Sequence, residues 1–233
     1  MLQRLREQVL EANLELVRRG LVLYTFGNAS GISREEGLVV IKPSGVPYEQ
    51  LKPAHLVVTD LAGNIVEGKL RPSSDLPTHL VLYTQFAQIG GVAHTHSEYA
   101  TSWAQARRPI PCFGTTHADY FHGPVPVTSE LTDLEIAEDY EKNTGHAIVR
   151  SLQQIDPSQT RGALVANHGP FAWGEDAGAA AHNAVVLEAV ARMAYFTLGI
   201  NSAAQPAGSA LRDKHYHRKH GVNAYYGQAK DKQ

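Results

Sequence analysis

The chain has 233 residues, a length that favours one globular domain with a sizeable hydrophobic core. Hydrophobic residues make up 43% and charged residues 19% of it, which excludes a disordered, collagen-like or coiled-coil chain. The 21 Lys and Arg nearly balance the 23 Asp and Glu, so the net charge is −2 and we expect neither a nucleic-acid nor a membrane partner. A single cysteine, Cys112, and a charged N-terminal stretch without a signal-peptide core favour a reducing cytoplasm.

Helix and strand patterns interleave along the chain. Apolar residues at spacings of three and four predict a helix over 2–16, with Gly20 as a stop signal. The next predicted elements are strands over 37–41, 56–60 and 64–67, a helix over 77–89, a strand over 91–96 and a helix over 98–106. Capping-box spacing predicts a helix from 132 to about 142, followed by a strand over 162–167 and a helix over 176–198. This order predicts one α/β domain over residues 1–233, with helices around a mainly antiparallel or mixed sheet.

Three histidines near predicted strands are candidate metal ligands. His94 and His96 are two residues apart in GVAHTHS, and on a strand this spacing places both imidazoles on one face. His168 follows the strand over 162–167, so we expect it at the same end of the sheet. Each histidine taken singly is more often an ordinary polar residue. Three neutral imidazoles with an open fourth position, however, are typical of a catalytic divalent-metal site.

Three short loops carry small polar residues that suit a phosphate group. The loops are Gly27 with Asn28, Ser44 with Gly45, and Ser73 with Ser74. Hydroxyl, amide and backbone N–H groups in such loops bind phosphate, and Lys42 would add a positive charge. Asp75, in PSSDLPTH, is an oxygen ligand, a base, or an ordinary helix N-cap. Each loop alone is an ordinary turn, so a phosphate site requires that the fold brings the loops together.

A set of motifs spread over nearly the whole chain matches a known family. The motifs are GNASG, IKPSGVPYEQL, PSSDLPTHL, GVAHTHSEYATSWA, IPCFGTTHADYF, NHGPFAWG and DKHYHRKHGVNAYYGQ. On these motifs the chain resembles the L-ribulose-5-phosphate 4-epimerases of the class II aldolase and adducin-like superfamily. The resemblance implies a single three-layer α/β/α domain around a mostly antiparallel central sheet. It also implies a four-fold symmetric homotetramer with active sites between neighbouring subunits.

The resemblance implies roles for individual residues as well. One divalent metal per subunit, usually Zn²⁺, would be held by His94, His96 and His168 with Asp75 as a further ligand. The substrate phosphate would bind at Gly27, Asn28, Ser44, Gly45, Ser73 and Ser74. Asp119, in THADYF, would be one catalytic acid/base, and Tyr226, donated by the adjacent subunit, would act on the opposite side.

The implied reaction inverts C4 of a sugar phosphate and interconverts L-ribulose 5-phosphate with D-xylulose 5-phosphate. C4 is not next to the C2 carbonyl, so its C–H is not acidic and simple deprotonation is unpromising. A retro-aldol route instead breaks the C3–C4 bond and re-forms it after the aldehyde fragment turns its other face, with an acid/base group on each side. The implied setting is carbohydrate metabolism, with arabinose catabolism as one such route.

Three other functions fit parts of the pattern. A class II aldolase such as L-fuculose-phosphate aldolase would release two products, but enzymes of that kind tend to carry a glutamate where this chain has Asp75. A non-catalytic scaffold like the adducin head domain would lack the three histidines. A three-histidine zinc hydrolase would need a distinctive oxyanion partner, which the sequence does not supply.

Overall fold

A seven-stranded sheet forms the middle layer of residues 2–220 and 224–227, the part of the chain that the computed structural model describes. Its strands are β1 (Asn28–Ser33), β2 (Leu38–Ile41), β3 (Val57–Asp60), β4 (Ile65–Glu67), β5 (Gly91–His94), β6 (Gly162–Val165) and β7 (Gly169–Gly174). Their order across the sheet is β4-β3-β2-β1-β5-β7-β6, and all six neighbouring pairs are antiparallel. The expected mostly antiparallel central sheet is confirmed.

Helices cover both faces of this sheet. They are α1 (Gln3–Arg18), α2 (Leu76–Gln85), α3 (Glu98–Gln105), α4 (Thr115–Ala118), α5 (Asp133–Ser151), α6 (Ala177–Ile200) and α7 (Ser209–Lys219). Two short 3-10 helices, Tyr48–Gln50 and Pro53–His55, connect β2 to β3. The helices expected from the sequence are all present, and the structure adds α4 and α7.

Side-chain alternation along the strands separates two cores. Val39 and Ile41 of β2 face a core that includes Tyr83 of α2 and Ile148 of α5, while Val40 faces the opposite side. This alternation follows from the two-residue period of a strand. The second core joins α1 and α6 to the sheet through small side chains, namely Ala29, Ala93, Ala172, Ala177, Ala180, Ala181 and Ala184. The three-layer α/β/α architecture is therefore confirmed.

The two strands that the sequence pattern does not predict lie on either side of β5. β1 has the sequence NASGIS, and it is buried along nearly its whole length, so no polar face marks it as a strand. Gly31 lets α1 pack closely on this strand, because a Cβ atom would lie 2.9 Å from Leu5 Cδ1 of α1. β7 begins with Gly169 and Pro170, residues that usually interrupt strands. Neither strand therefore shows the alternation of apolar and polar residues by which a strand is recognised in a sequence.

Helix α5 is longer than the sequence pattern indicates. Its capping box is confirmed, because Thr132 Oγ1 accepts from the Glu135 N–H and the Glu135 carboxylate accepts from the Thr132 N–H at 2.9 Å. The helix kinks at Asp139 (φ −155°, ψ 73°) and then continues to Ser151. Gly145 lets it approach α2, because a Cβ atom there would lie 2.7 Å from Val81 Cβ.

Helix α6 is, among the described residues, the one helix long and apolar enough by length and composition to cross a membrane. It also contains Glu188 and Arg192, and it lies on the face of the sheet formed by Ala93 and Ala172. Burial of an apolar stripe against a sheet accounts for the same composition.

Replacing Gly91 with alanine is expected to destabilise the fold by about 3 kcal/mol, because the added atom overpacks a backbone crossing. A Cβ atom at Gly91 would lie 2.2 Å from the Asp176 carbonyl oxygen and 2.5 Å from the Ala177 nitrogen. Urea unfolding measures the loss. Gly199→Ala is the matched control, because Gly199 lies in α6 with no atom near its Cβ position, and its stability should stay equal or rise. A Gly91→Ala protein as stable as the parent would contradict this close approach.

Candidate metal centre and adjoining cavity

The structure brings the three candidate histidine ligands into one cluster. His94 is the last residue of β5, His96 lies two residues beyond it, and His168 lies in the turn between β6 and β7. Their ligand atoms are within 4.8 Å of one another, and the Nε2 atoms of His94 and His96 are 3.1 Å apart. The expectation that His96 continues the strand is wrong, because β5 ends at His94. The turn that follows still directs both rings to the same place.

The surroundings of His96 and His168 favour neutral imidazoles, and partners fix the orientation of two of the three rings. Burial, with a further contribution from His94, lowers the pKa of both His96 and His168. Neutral imidazole is the form that binds metal ions. Partners also hold the outer nitrogens, since His94 Nδ1 is 2.9 Å from the Pro170 carbonyl oxygen and His168 Nδ1 is 3.3 Å from the Tyr140 hydroxyl. Contacts of this kind fix the rings of metal-binding histidines.

The donor set suits a divalent metal of borderline softness such as Zn²⁺. It offers three imidazole nitrogens, and a site of three nitrogens with an open position is the catalytic rather than the structural type. Asp75 is not one of the described residues whose ligand atoms group within 4.8 Å, so its role as a further ligand stays a prediction. The residues present therefore fit a metal through the histidines.

Asp75 nevertheless faces the same cavity. It occupies the N-cap position of α2 without a side-chain cap bond to the described residues, and its carboxylate accepts a hydrogen bond from Asn28 Nδ2 at 2.6 Å. Burial alone would raise the pKa of Asp75. Nearby His94 and His79, with the Asn28 hydrogen bond, outweigh burial and hold that pKa below its usual value. The carboxylate is therefore ionised and available to the site.

A cavity of about 400 Å³ opens beside the histidines. Its lining includes every residue of the three loops singled out above: Gly27, Asn28, Ser44, Gly45, Ser73 and Ser74. Asn28 Oδ1 is buried without a hydrogen-bond partner among the described residues, which leaves an acceptor for a ligand. The fold thus brings together loops that are far apart in the sequence.

Two backbone N–H groups of these loops donate to backbone carbonyls of the same chain. The Ser44 N–H donates to the Arg71 carbonyl and the Ser73 N–H donates to the Lys42 carbonyl, both at 3.0 Å. The sequence-based expectation that backbone N–H groups bind a phosphate is therefore wrong for these two donors. Gly27 is required by the backbone, since its φ is +94° and a Cβ atom would lie 2.8 Å from the His94 carbonyl oxygen. The Ser73 hydroxyl also has partners, since it accepts from Asn28 Nδ2 at 3.0 Å and from the Asp75 N–H at 3.3 Å.

Lys42 is a buried cation in the wall of the cavity. Its Nζ lies 4.6 Å from the centre of the Tyr48 ring, and the Tyr48 hydroxyl donates to the Gly27 carbonyl at 2.8 Å. Burial lowers the pKa of Lys42 to about 8. An ammonium group in this setting favours a negatively charged ligand.

Two further cavity residues, Tyr140 and Glu141, are absent from the sequence-based set of candidates. They follow directly on the kink of α5 at Asp139, which brings this turn of the helix to the cavity. Residues 132–142 show only a helix start, and no local pattern marks a kink. Tyr140 and Glu141 lie neither at a strand end nor in a glycine-rich loop, so nothing in the local sequence marks them as cavity residues.

Asp119 and Tyr226 lie together beside α7. The Arg218 guanidinium donates to both carboxylate oxygens of Asp119, at 2.9 and 2.6 Å, and lies 5.0 Å from the centre of the Tyr226 ring. Burial would raise the pKa of Asp119, but the hydrogen bonds from Arg218 and His215 hold it below its usual value. Neither Asp119 nor Tyr226 is among the described residues that line the histidine cavity of their own chain.

Two larger clefts lie elsewhere on the surface. One, of about 830 Å³, runs beside α7 and is lined in part by Tyr120 and Lys219. The other, of about 870 Å³, follows the C-terminal half of α6, where Tyr195, Phe196 and Ile200 are exposed. Neither contains the histidine cluster. Donor chemistry, rather than volume, therefore singles out the histidine cluster as the candidate metal centre.

Comparison with known proteins gives a consistent result. Residues 7–195 match the family described as Class II Aldolase and Adducin N-terminal domain. The chain is 56% identical over 227 residues to a protein of Salmonella paratyphi B named L-ribulose-5-phosphate 4-epimerase UlaF, covering 97% of this chain and 100% of that one. The protein of the same name from Salmonella typhi is 55% identical, with the same coverage.

Solved structures share the fold as well. A structure named L-fuculose 1-phosphate aldolase has a TM-score of 0.79 and 26% sequence identity, covering 92% of this chain and 95% of that one. Another, L-fuculose 1-phosphate aldolase from Glaciozyma antarctica PI12, has a TM-score of 0.76 at 15% identity, covering 95% of this chain and 84% of that one. With the family match over most of the chain, these findings show that the protein belongs to the class II aldolase and adducin family.

Proposed function

We propose that this protein is an L-ribulose-5-phosphate 4-epimerase, which interconverts L-ribulose 5-phosphate and D-xylulose 5-phosphate. The observation that carries this function is the three-histidine cluster beside a cavity that holds Lys42 and three polar loops. The two Salmonella relatives that bear this name, at 56% and 55% identity over 97% of the chain, support the same activity.

The metal is proposed to be Zn²⁺, one per subunit, held by His94, His96 and His168 with Asp75 as a further ligand. When bound, it supplies Lewis-acid stabilisation of negative charge on the substrate oxygens. His94 and His168 are held by Pro170 and Tyr140, so the protein presents these donors without a large rearrangement.

The cavity residues are proposed to hold the phosphate end of the substrate. Lys42 provides the positive charge, and the Ser44, Ser73 and Ser74 hydroxyls provide hydrogen-bond donors, with Gly27, Asn28 and Gly45 completing the loops. Holding the phosphate keeps the two-carbon aldehyde fragment in the site after the C3–C4 bond breaks. A held fragment re-adds at a large effective concentration, which favours epimerisation over product release.

Two acid/base groups are needed on opposite sides of C4, and we assign them to Asp119 and Tyr226. One takes the proton of the C4 hydroxyl as the C3–C4 bond breaks to an enediolate and glycolaldehyde phosphate. The other donates a proton to the new C4 oxygen after the aldehyde re-adds through its other face. Because neither residue lines the cavity of its own chain, we propose that assembly completes the site, with Tyr226 donated by the adjacent subunit opposite Asp119.

This arrangement requires an oligomer, and we propose a homotetramer of single-domain chains, with residues 1–233 as the domain. The surface offers contacts suited to self-association, namely the exposed Tyr195, Phe196 and Ile200 on α6 and the cleft beside α7. A cytoplasmic location and a role in arabinose catabolism stay predictions.

The alternative is a class II sugar-phosphate aldolase, which shares the fold at a TM-score of 0.79. Identity to the solved aldolase is 26%, far below the 56% to the relative named an epimerase. Asp75 also favours the epimerase, because the resemblance associates the aldolases with glutamate at this place.

The direct test is incubation of the Zn²⁺-loaded protein with L-ribulose 5-phosphate. We expect D-xylulose 5-phosphate to appear, as followed by a coupled assay or by NMR. Accumulation of free glycolaldehyde phosphate instead would identify an aldolase. Loss of activity on chelation and its return with Zn²⁺ would establish that the reaction requires the metal.

The pH dependence of substrate binding tests the role of Lys42. Its ammonium is charged below about pH 8, so the KM for L-ribulose 5-phosphate should rise as the pH passes 8. Lys42→Met should raise the KM at pH 7 and remove this rise, while kcat changes little. L-Ribulose without its phosphate is the matched control substrate and should show no such dependence. A Lys42→Met protein with an unchanged KM would contradict the assignment.

The same group makes a prediction about stability. The pKa of Lys42 is about 8 in the folded protein, against 10.5 for a lysine in the unfolded chain. Between these values the unfolded chain binds more protons, so the free energy of unfolding of the phosphate-free protein gains a contribution that increases with pH. Urea unfolding at pH 8 and pH 10 should show this contribution in the parent protein and lack it in Lys42→Met.

A further inference from the structure

A glutamate on α6 caps the helix that follows the metal-binding histidines. The Glu188 carboxylate accepts hydrogen bonds from the backbone N–H groups of Tyr99 and Ala100, at 2.8 and 2.9 Å. These groups belong to the first turn of α3, which begins at Glu98. The first N–H groups of a helix have no partner within the helix, so an acceptor at this point stabilises the helix start.

The usual source of such a cap is absent here. Ser97 occupies the N-cap position of α3 with an extended backbone (φ −62°, ψ 141°), but it makes no side-chain cap bond to any described residue. Its Oγ is buried and likewise has no partner in the described part of the chain. A serine in this position normally caps its own helix. In this protein the cap comes from another element, 89 residues later than Tyr99.

The location of this contact links it to the metal centre. His96 lies beyond the end of β5, where the contact of the preceding residue with β7 is a long hydrogen bond, from the Thr95 N–H to the Pro170 carbonyl oxygen at 3.4 Å. The segment that carries it is held by His94 on one side and by the start of α3, which begins two residues later, on the other. A second contact between the two helices, from Trp103 Nε1 to the Ala191 carbonyl oxygen at 3.0 Å, anchors the next turn of α3.

We propose that Glu188 is a positioning residue for His96. By holding the first turn of α3, its carboxylate sets the course of the segment 95–97 and thereby places the His96 imidazole within reach of His94 and His168. The inference rests on the proposed metal role of the three histidines. Glu188 contacts neither the three histidines nor the cavity. Through this residue α6 would nevertheless contribute to the geometry of the metal site.

Metal binding measured directly tests the proposal. We expect Glu188→Ala to weaken Zn²⁺ binding by about 10- to 100-fold, the range found when a residue that orients a metal ligand is removed. Competition with a chromophoric chelator gives this affinity. The visible spectrum of the Co²⁺-loaded variant should also change, because that spectrum reports the ligand set. Glu188→Gln keeps one acceptor oxygen and should give an intermediate affinity, and it serves if Glu188→Ala does not fold.

Asp176→Ala is the matched control. Asp176 Oδ1 caps α6 by accepting from the Ala179 N–H at 2.7 Å, so this change also removes a helix cap, but at a helix start that carries no metal-binding histidine. We expect it to lower the stability of the metal-free protein in urea while leaving Zn²⁺ affinity within about twofold of the parent. Equal weakening of metal binding in both variants, or parent-like binding in Glu188→Ala, would overturn the proposal.

The outcome separates this inference from the proposed function. A parent protein that binds Zn²⁺ but does not epimerise L-ribulose 5-phosphate would contradict the proposed function. In that case weak metal binding in Glu188→Ala would still support the positioning role. If the parent is an active epimerase and its Glu188 variants bind Zn²⁺ as tightly as it does, the proposed function is supported and the positioning role is contradicted.

Discussion

His96→Asn is expected to remove the bound metal and nearly all activity. His96 Nε2 lies 3.1 Å from His94 Nε2, and an asparagine side chain supplies no imidazole nitrogen at that place. Without the metal the site loses several kcal/mol of charge stabilisation, so we expect the rate to fall by at least about a thousandfold. Elemental analysis of the purified variant and the coupled epimerase assay measure the two losses.

The fold of this variant should remain intact, because His96 lies outside the helices and strands and packs in neither core cluster of the sheet. We expect its free energy of unfolding, measured without metal in both proteins, to stay within about 1 kcal/mol of the parent. His146→Asn is the matched control, since His146 lies in α5 away from the cavity lining and its replacement should leave metal content and rate unchanged. An active His96→Asn protein without metal would refute the proposed metal-dependent reaction.

Tyr226→Phe is expected to abolish epimerisation while leaving the metal in place. The phenylalanine ring can still pack against Arg218 and Lys219, whose charged groups lie 5.0 and 4.4 Å from the ring centre, so only the hydroxyl is lost. Loss of one acid/base group lowers a rate by about 10²- to 10⁴-fold. Normal metal content with a low kcat is the expected result, and a parent-like kcat would remove Tyr226 from the reaction.

Mixing two inactive variants tests whether a second copy supplies this residue. His96→Asn and Tyr226→Phe chains, unfolded together and refolded as a mixture, should regain activity if each site combines residues of two copies. With random assembly of equal amounts, half of the chains carry an intact His96 and the other half carry an intact Tyr226. About a quarter of the sites then combine an intact His96 with an intact Tyr226 from the neighbouring chain. A mixture as inactive as its components would show that each chain supplies its own tyrosine.

Residues of the candidate site can be predicted from the sequence where they lie at the end of a strand with a recognisable apolar pattern. His94 and His168 could be predicted because each lies at or just after a strand. His96 reaches the cluster for a different reason, since a turn rather than the strand places it there. Five of the helices and five of the strands follow from sequence patterns, whereas α4 and α7 do not. β1 and β7 do not follow from such patterns either. β1 consists mostly of small residues, and β7 begins with Gly169 and Pro170 and is buried on both faces, so neither strand alternates apolar with polar residues.

Other parts of the site depend on contacts between distant segments. The loops at Ser44 and Ser73 meet through a bridge between Pro43 and Pro72, which no local pattern encodes. Tyr140 and Glu141 reach the cavity through a kink within a helix. Glu188 is visible in the sequence as an acidic residue in an alanine-rich helix, but its partner helix can be identified only from the fold.

The strand order also determines when the metal centre can form during synthesis. β5 pairs with β1 on one side, where Asn28 faces His94, and with β7 on the other, where His94 faces Phe171. A nascent chain that has not yet released β7 from the ribosome therefore has no partner for that edge of β5 and lacks a placed His168. Pairings of such large sequence separation form late in folding, since loop closure must come first. We expect metal capture to follow completion of the sheet, so Zn²⁺ would stabilise the finished fold rather than guide the chain towards it.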